Sequence, residues 1–280
     1  MRIAPLLLVS ALLLPAVYEA RGDVGFLEVG RTFEAPIADP RWPRFAASWR
    51  EYDGDSHLDS AAAVALGGTF ALVYGRPEAE EAPPAWELGL QAAMFGTFQP
   101  ESPSQDLYNT DWQFGIYAAG RSGRLSGIAR LWHQSSHLGD EFLLRTPGLV
   151  RINFEFESVD GLLAYDLTDW SRIYAGGGWI FDEHPSDYGN WIVQYGLEVH
   201  WPRPIWNGYA VPFAAVDVTH LAGRDWQGNI SLMAGVELTD PATDGPTLRA
   251  AVEYYNGGNF NGQFFEESVQ YVGVGLQLEL

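Results

Sequence analysis

The chain has 280 residues, with 36 Asp and Glu against 16 Lys and Arg, and a formal net charge of −20. That charge repels phosphate backbones and excludes nucleic-acid binding, while the absence of cysteine excludes disulfides, thiolate metal sites and a cysteine nucleophile. Aromatics make up 14% and charged residues only 19%, with 31 glycines, the composition of an ordered aromatic-rich β protein rather than a disordered acidic tail.

Residues 1–22, MRIAPLLLVSALLLPAVYEARG, read as a secretory signal peptide. Arg2 supplies the positive start, and Ile3 to Val17 form an apolar stretch too short to span a bilayer as a helix. A retained helical anchor is the alternative. Residues 23–41 do not alternate, and are expected to be a periplasmic leader or a segment tucked into a barrel mouth. From there to residue 280 the pattern has period two. Twelve strands are expected, near 42–51, 62–75, 86–97, 111–119, 125–134, 150–167, 171–182, 191–201, 209–219, 229–238, 247–256 and 268–280. The first is the weakest, because Pro43 stands at its start. The sixth is too long unless a bulge falls near Ser158–Gly161.

Two environments produce such alternation: a soluble sandwich with an apolar core, or a membrane barrel with apolar residues outside and polar ones within. In WIVQYGLEVHW, residues 191–201, Trp191 and Trp201 share a face ten residues apart. That is roughly 33 Å of strand, or roughly 25 Å along the membrane normal at a tilt of about 40°, the spacing of two aromatic girdles. The expected fold is therefore all-β: a single antiparallel up-and-down transmembrane β-barrel over residues 42–280, with about 12 strands and a range of 10–14. Its location would be the bacterial outer membrane. Short connections at 120–124, 168–170 and 239–245 then become periplasmic turns, and the longer ones at 99–110, 134–149, 181–190 and 257–267 become extracellular loops.

Four stretches carry a resemblance: ADPRWPRF at 38–45, HQSSHLGDEFLLR at 133–145, YDLTDW at 165–170 and EYYNGGNFNGQF at 253–264. In these the chain is similar to a bacterial family of unknown function, domain-of-unknown-function family 1207. The resemblance implies an outer-membrane-type barrel and brings no known activity. Outer-membrane lipid, lipopolysaccharide and the barrel-assembly machinery are the partners it implies. The chain departs from the usual aromatic last residue of such barrels by ending on Leu280.

The stretch LWHQSSHLGDE, residues 131–141, packs two histidines, two serines and two acids together. Arg130 should avoid lipid and point inward, so Ala129, Leu131, His133 and Ser135 point outward. A His and a Ser two apart share a strand face, which sets a hydroxyl near an imidazole on the lipid side. His-x-Ser at 133–135 resembles the site of the outer-membrane phospholipase A and lipid A 3-O-deacylase barrels. The resemblance implies Ser135 as nucleophile and His133 as its base. Those enzymes carry Asn after the Ser where this chain has Ser136. Asn153, Glu155, Asp140 and Glu141 are the candidate residues to orient His133. As a strand end and loop without chemistry, the same stretch would put Trp132 in an aromatic girdle and let Asp140 and Glu141 pair with Arg145 and Arg151. Metal binding by His133, His137, Asp140 and Glu141 would need a turn between the histidines, since four strand residues span about 13 Å.

The acidic stretches at 53–59 and 182–187 read as solvated loops, and calcium enters only if the protein is a hydrolase. No other cofactor is implied. Glu87, Gln91, Arg151, Glu155, Glu198, Glu237, Arg249 and Glu253 are expected to face the lumen and to pair into a plug or line a cation-favouring pore. The leading expectation is a non-enzymatic barrel, structural or a narrow channel; the alternative is an outer-membrane lipid acyl-ester hydrolase.

Overall fold

The computed structural model describes residues 22–53, 57–77, 85–186, 188–240, 242 and 245–280. The signal-peptide expectation falls on residues 1–22, all but the last of which lie outside that set. The strands are β1 (Gly22–Val29), β2 (Phe45–Asp53), β3 (Ser60–Pro77), β4 (Ala85–Phe98), β5 (Leu107–Ser122), β6 (Leu125–Leu138), β7 (Phe154–Thr168), β8 (Ser171–His184), β9 (Trp191–His200), β10 (Ala210–Leu221), β11 (Gly228–Leu238), β12 (Thr247–Gly258) and β13 (Ser268–Glu279), with a short helix α1 (Asp140–Arg145) after β6.

Strands β2 to β13 pair antiparallel in sequence order, and β13 returns to β2 through Phe45↔Leu278 to Asp53↔Gln270, closing a 12-stranded barrel. Closure leaves no free edge among these twelve strands, which is what period-two strands apolar on one face require in a bilayer. The outer face is apolar: Trp191 and Trp201 are 57% and 59% exposed, on the same side as Val193, Tyr195 and Leu197.

Three local findings modify the expected strand map. β2 starts at Phe45, after Pro43, as a residue lacking the ladder N–H favours. β7 starts at Phe154 rather than 150. The register shift opposite Glu157 and Ser158 leaves its extra residue, Phe181, on β8 and none on β7.

The largest difference is β1. Residues 22–29 lie in the sheet, paired with the end of β3 from Gly22↔Pro77 to Val29↔Phe70. Leu27 has φ +61 and takes no partner, which breaks the alternation a reader would look for. β2 pairs with the other half of β3, Ala46↔Ala65 to Glu51↔Ser60. β1 and β2 thus occupy the same flank of one strand, in line. Between them residues 30–44 leave the wall and enter the lumen.

That segment occupies the lumen, leaving a cavity between its Asp39 and Arg41 and the wall residues Arg130, Gln134 and Asp217. Phe33, Ile37, Ala38 and Trp42 are buried against inner-wall residues, Phe33 and Trp42 with Tyr117, Leu162 and Tyr174, and Ile37 and Ala38 with Phe213 and Met233. Most of its polar groups are met, the buried Arg44 Nε excepted. Thr32 Oγ1 donates to Glu87 Oε2 at 2.9 Å. Ile37 N donates to Glu198 Oε1 at 2.6 Å. Arg41 Nη2 reaches Asp111 Oδ2 at 2.7 Å. Arg44 Nη1 donates to Gln277 Oε1 at 2.7 Å, and the Arg130 guanidinium lies over the Trp42 ring at 4.4 Å. A buried backbone or charge without a partner is expensive, so the polar inner wall and the polar segment specify each other.

Candidate functional site

The inner wall contains most of the expected lumen residues. Glu87, Gln91, Glu198, Arg249 and Glu253 are buried. Arg249 bridges Glu237 at 2.8 Å and Glu279 at 2.6 Å. Glu253 meets Arg50 at 3.4 Å, and Glu198 meets Arg172 at 3.0 Å. Gln91 Nε2 donates to Thr69 Oγ1 at 2.9 Å. Two of the eight do not belong there. Arg151 is exposed in the connection before β7, its Nη2 3.1 Å from His137 Nδ1. Glu155 lies on the outer face. The parity of β7 is set deeper in the strand by Asp160, which turns inward to bond Arg130 at 2.7 Å. Phe154, Phe156 and Ser158 follow it inward and are buried, so Glu155 and Glu157 face out. Near this rim the interior is aromatic, with Phe154 and Phe156 packed on Tyr188 and Phe265.

Parity in β6 follows the Arg130 argument. Ser126, Ile128, Gln134 and Ser136 are buried inside, and Leu131, His133, Ser135 and His137 face out. Trp132 is therefore not a girdle residue: it points in, its Nε1 donating to Asp160 Oδ2 at 2.7 Å.

On the outer face His133 and Ser135 sit beside β5 and β7 in a fixed grid. Ser135 is level with Trp112 and Glu155, and His133 with Phe114 and Glu157. His133 Nδ1 is 2.8 Å from Glu157 Oε1, their side chains 41% and 38% exposed. With Nδ1–H donated to the carboxylate, the lone pair is on Nε2. No hydrogen bond joins Ser135 to His133 in this resting arrangement. The carboxylate that meets His133 is thus that of Glu157. Asn153 instead donates from Nδ2 to Glu155 Oε1 at 3.1 Å. Asp140 and Glu141 begin α1, exposed, and α1's Arg145 pairs with Asp106 Oδ1 at 2.6 Å rather than with them. His184 Nδ1 stands 4.0 Å from Glu155 Oε1, and the bulge at Phe181 sets Asp182 level with Glu157. Of the two acidic loops, residues 54–56 and 187 lie outside the described set. Among the described residues no three His, Asp or Glu side chains converge to hold an ion.

With this geometry in view, comparison with known proteins places the chain. The family model "Protein of unknown function (DUF1207)" matches residues 13–280. The chain belongs to this family. Among curated proteins none matches it. Among solved structures, the family member is similar to the outer membrane phospholipase (OMPLA) dimer with bound calcium from Salmonella typhi, at 13% identity over 88% of this chain and 94% of that one, with a TM-score of 0.59. It is also similar to outer membrane phospholipase A from Escherichia coli, at 13% identity over 87% and 92%, TM-score 0.57. An active-site mutant of the latter aligns at 14% over 86% and 93%, TM-score 0.55. At these identities what is shared is the fold: the closed barrel of outer-membrane proteins.

Proposed function

We propose that this protein is a serine-dependent lipid acyl-ester hydrolase that works on the outer surface of an outer-membrane barrel. One observation carries the reading: the His133–Glu157 hydrogen bond at 2.8 Å on the outward face, with Ser135 the next residue of that face. A polar trio of hydroxyl, imidazole and carboxylate is costly where lipid is expected, and it is the set that acyl transfer needs. The barrel likeness to two outer-membrane phospholipases supports the reading without carrying it.

The chemistry follows from the tautomer. Ser135 Oγ attacks the ester carbonyl carbon as its proton passes to His133 Nε2. Glu157 accepts Nδ1–H throughout, holds the ring in place and stabilises the imidazolium that forms. The intermediate collapses to an acyl-Ser135 ester as the departing alcohol takes the proton from His133. Water then attacks the acyl carbon, giving its proton to His133, which returns it to Ser135 Oγ as the fatty acid leaves. Calcium accompanies the Salmonella typhi phospholipase; here, among the described residues, no converging donor set fits an ion, and no step runs through one.

A non-enzymatic barrel is the competing reading, and the occupied lumen favours its structural form over a channel, since residues 30–44 cross the interior. The two separate on one experiment. The detergent-folded protein is assayed for release of fatty acid from phospholipid and from lipid A, beside Ser135→Ala and His133→Ala, with folding checked by heat-modifiable gel mobility. Release by the parent protein that both variants lose establishes the hydrolase. Equal background release from three folded proteins overturns it.

A further inference from the structure

The surroundings of Ser135 are asymmetric, and the asymmetry bears on the substrate. Descending the outer face from the long-loop end, the rows across β5, β6 and β7 are Trp112–Ser135–Glu155, Phe114–His133–Glu157, Ile116–Leu131–Val159, Ala118–Ala129–Gly161 and Gly120–Gly127–Leu163. On the β5 side the first three rows present Trp112, Phe114 and Ile116, exposed by 53%, 57% and 53%. On the β7 side the first two rows present carboxylates, and Asp182 adds a third beside Glu157. Below the site, the β5–β6 ladder thins from aromatic to aliphatic to alanine to glycine.

Building on the hydrolase reading, we infer that the site takes long-chain acyl esters, and that the acyl chain lies down the β5–β6 ladder with Trp112 and Phe114 as its specificity-determining wall. An apolar chain laid over the β7 flank would strip water from Glu155 and Glu157 with nothing in return. Laid over β5, it meets carbon apart from the Trp112 indole N–H, and no charge. The taper keeps this path open: large side chains wall its upper part, Ala118, Ala129 and Gly120 leave room beneath, and the Leu163 side chain closes over Gly127 on the β7 side. Trp112 to Gly120 covers eight residue steps, about 26 Å of strand. At a tilt of about 40° that is about 20 Å along the normal, more than the roughly 15 Å of one leaflet's hydrocarbon. A chain esterified to Ser135 therefore stays against the wall for its whole length. The acidic flank adds that the ester's other substituent is not polyanionic, since Glu155 and Asp182 would repel it.

The test pairs chain length with a label. Esters from butyrate to palmitate are assayed with the full protein, Phe114→Ala, Ala129→Phe and, should Ala129→Phe fold poorly, Ala129→Leu. The expected result is a loss of about tenfold or more in kcat/KM for palmitate in the Phe114 and Ala129 variants, with butyrate within about twofold. Equal losses at all lengths, or none, overturn the inference. In parallel, Ser135→Ala protein in vesicles containing a phospholipid with a photoreactive terminal acyl carbon is irradiated and its labelled peptides mapped. Label concentrated on β5 and β6 supports the groove; label spread evenly around the barrel overturns it. The two readings fail separately. Concentrated label from a protein that cleaves no ester keeps the groove and removes the hydrolase, while even label from an active enzyme does the reverse.

Discussion

Carboxylates on the two faces of this barrel live under opposite rules. Glu198, inside, is held by Arg172 at 3.0 Å and by the Ile37 N–H at 2.6 Å, with both charged side chains at most 5% exposed. Glu157, outside, has His133 and is 38% exposed. The inner acid is met by groups that cannot leave, so its charge is spent on holding the luminal segment. The outer acid holds one imidazole and leaves the other face of that ring open. Polar residues in an occupied lumen are explained by its contents; polar residues on an apolar outer wall need another explanation.

Substitutions on each face should break that contrast in opposite ways. The largest effect is expected from Ser135→Ala and His133→Ala, each lowering esterase kcat by about a thousandfold or more while the temperature of heat-modifiable mobility loss stays put. Glu198→Ala should do the reverse. It takes the acceptor from the Ile37 N–H and leaves Arg172 with Glu34 alone, which costs about 1–3 kcal/mol, read as a lower unfolding midpoint in urea with residual folded protein fully active. Glu157→Gln keeps a partner for Nδ1–H but removes its charge. We expect kcat to fall about tenfold with KM unchanged and stability altered by less than about 1 kcal/mol, as suits an exposed pair. Equal falls in stability and kcat would make Glu157 a strut rather than a positioning residue. The smallest effect belongs to Asn153→Ala, whose bond to Glu155 is exposed: stability within about 0.5 kcal/mol and activity unchanged.

How much of this was legible beforehand varied by region, for physical reasons. The twelve barrel strands follow from period two, because burial on one face dictates every second residue. The outward placement of His133 and Ser135 followed from one charge, Arg130, which lipid would not accept. The same argument applied to Asp160, which turns inward to Arg130, puts Glu155 outside the barrel; the first residues of β7 do not show this by themselves, because acids alternate there with aromatics that are buried within. Glu157 as the partner of His133 could not be reached, since it depends on the β6–β7 register across a connection of fifteen residues containing α1. β1 was hidden by Leu27, whose left-handed backbone interrupts the strand pattern.

One feature of the wall constrains how the molecule can come into being. β1 and β2 grip the same flank of β3 at Val29↔Phe70 and Ala46↔Ala65, with residues 30–44 looped inward between the two grips. A segment tethered at both ends to one stave stays inside for as long as both grips hold. Final closure, Phe45↔Leu278, joins residues from opposite ends of the barrel sequence, so it waits for the last strand. Residues 30–44 are thus bracketed by the seam itself, since β2 is both the end of their tether and the strand that closes the wall.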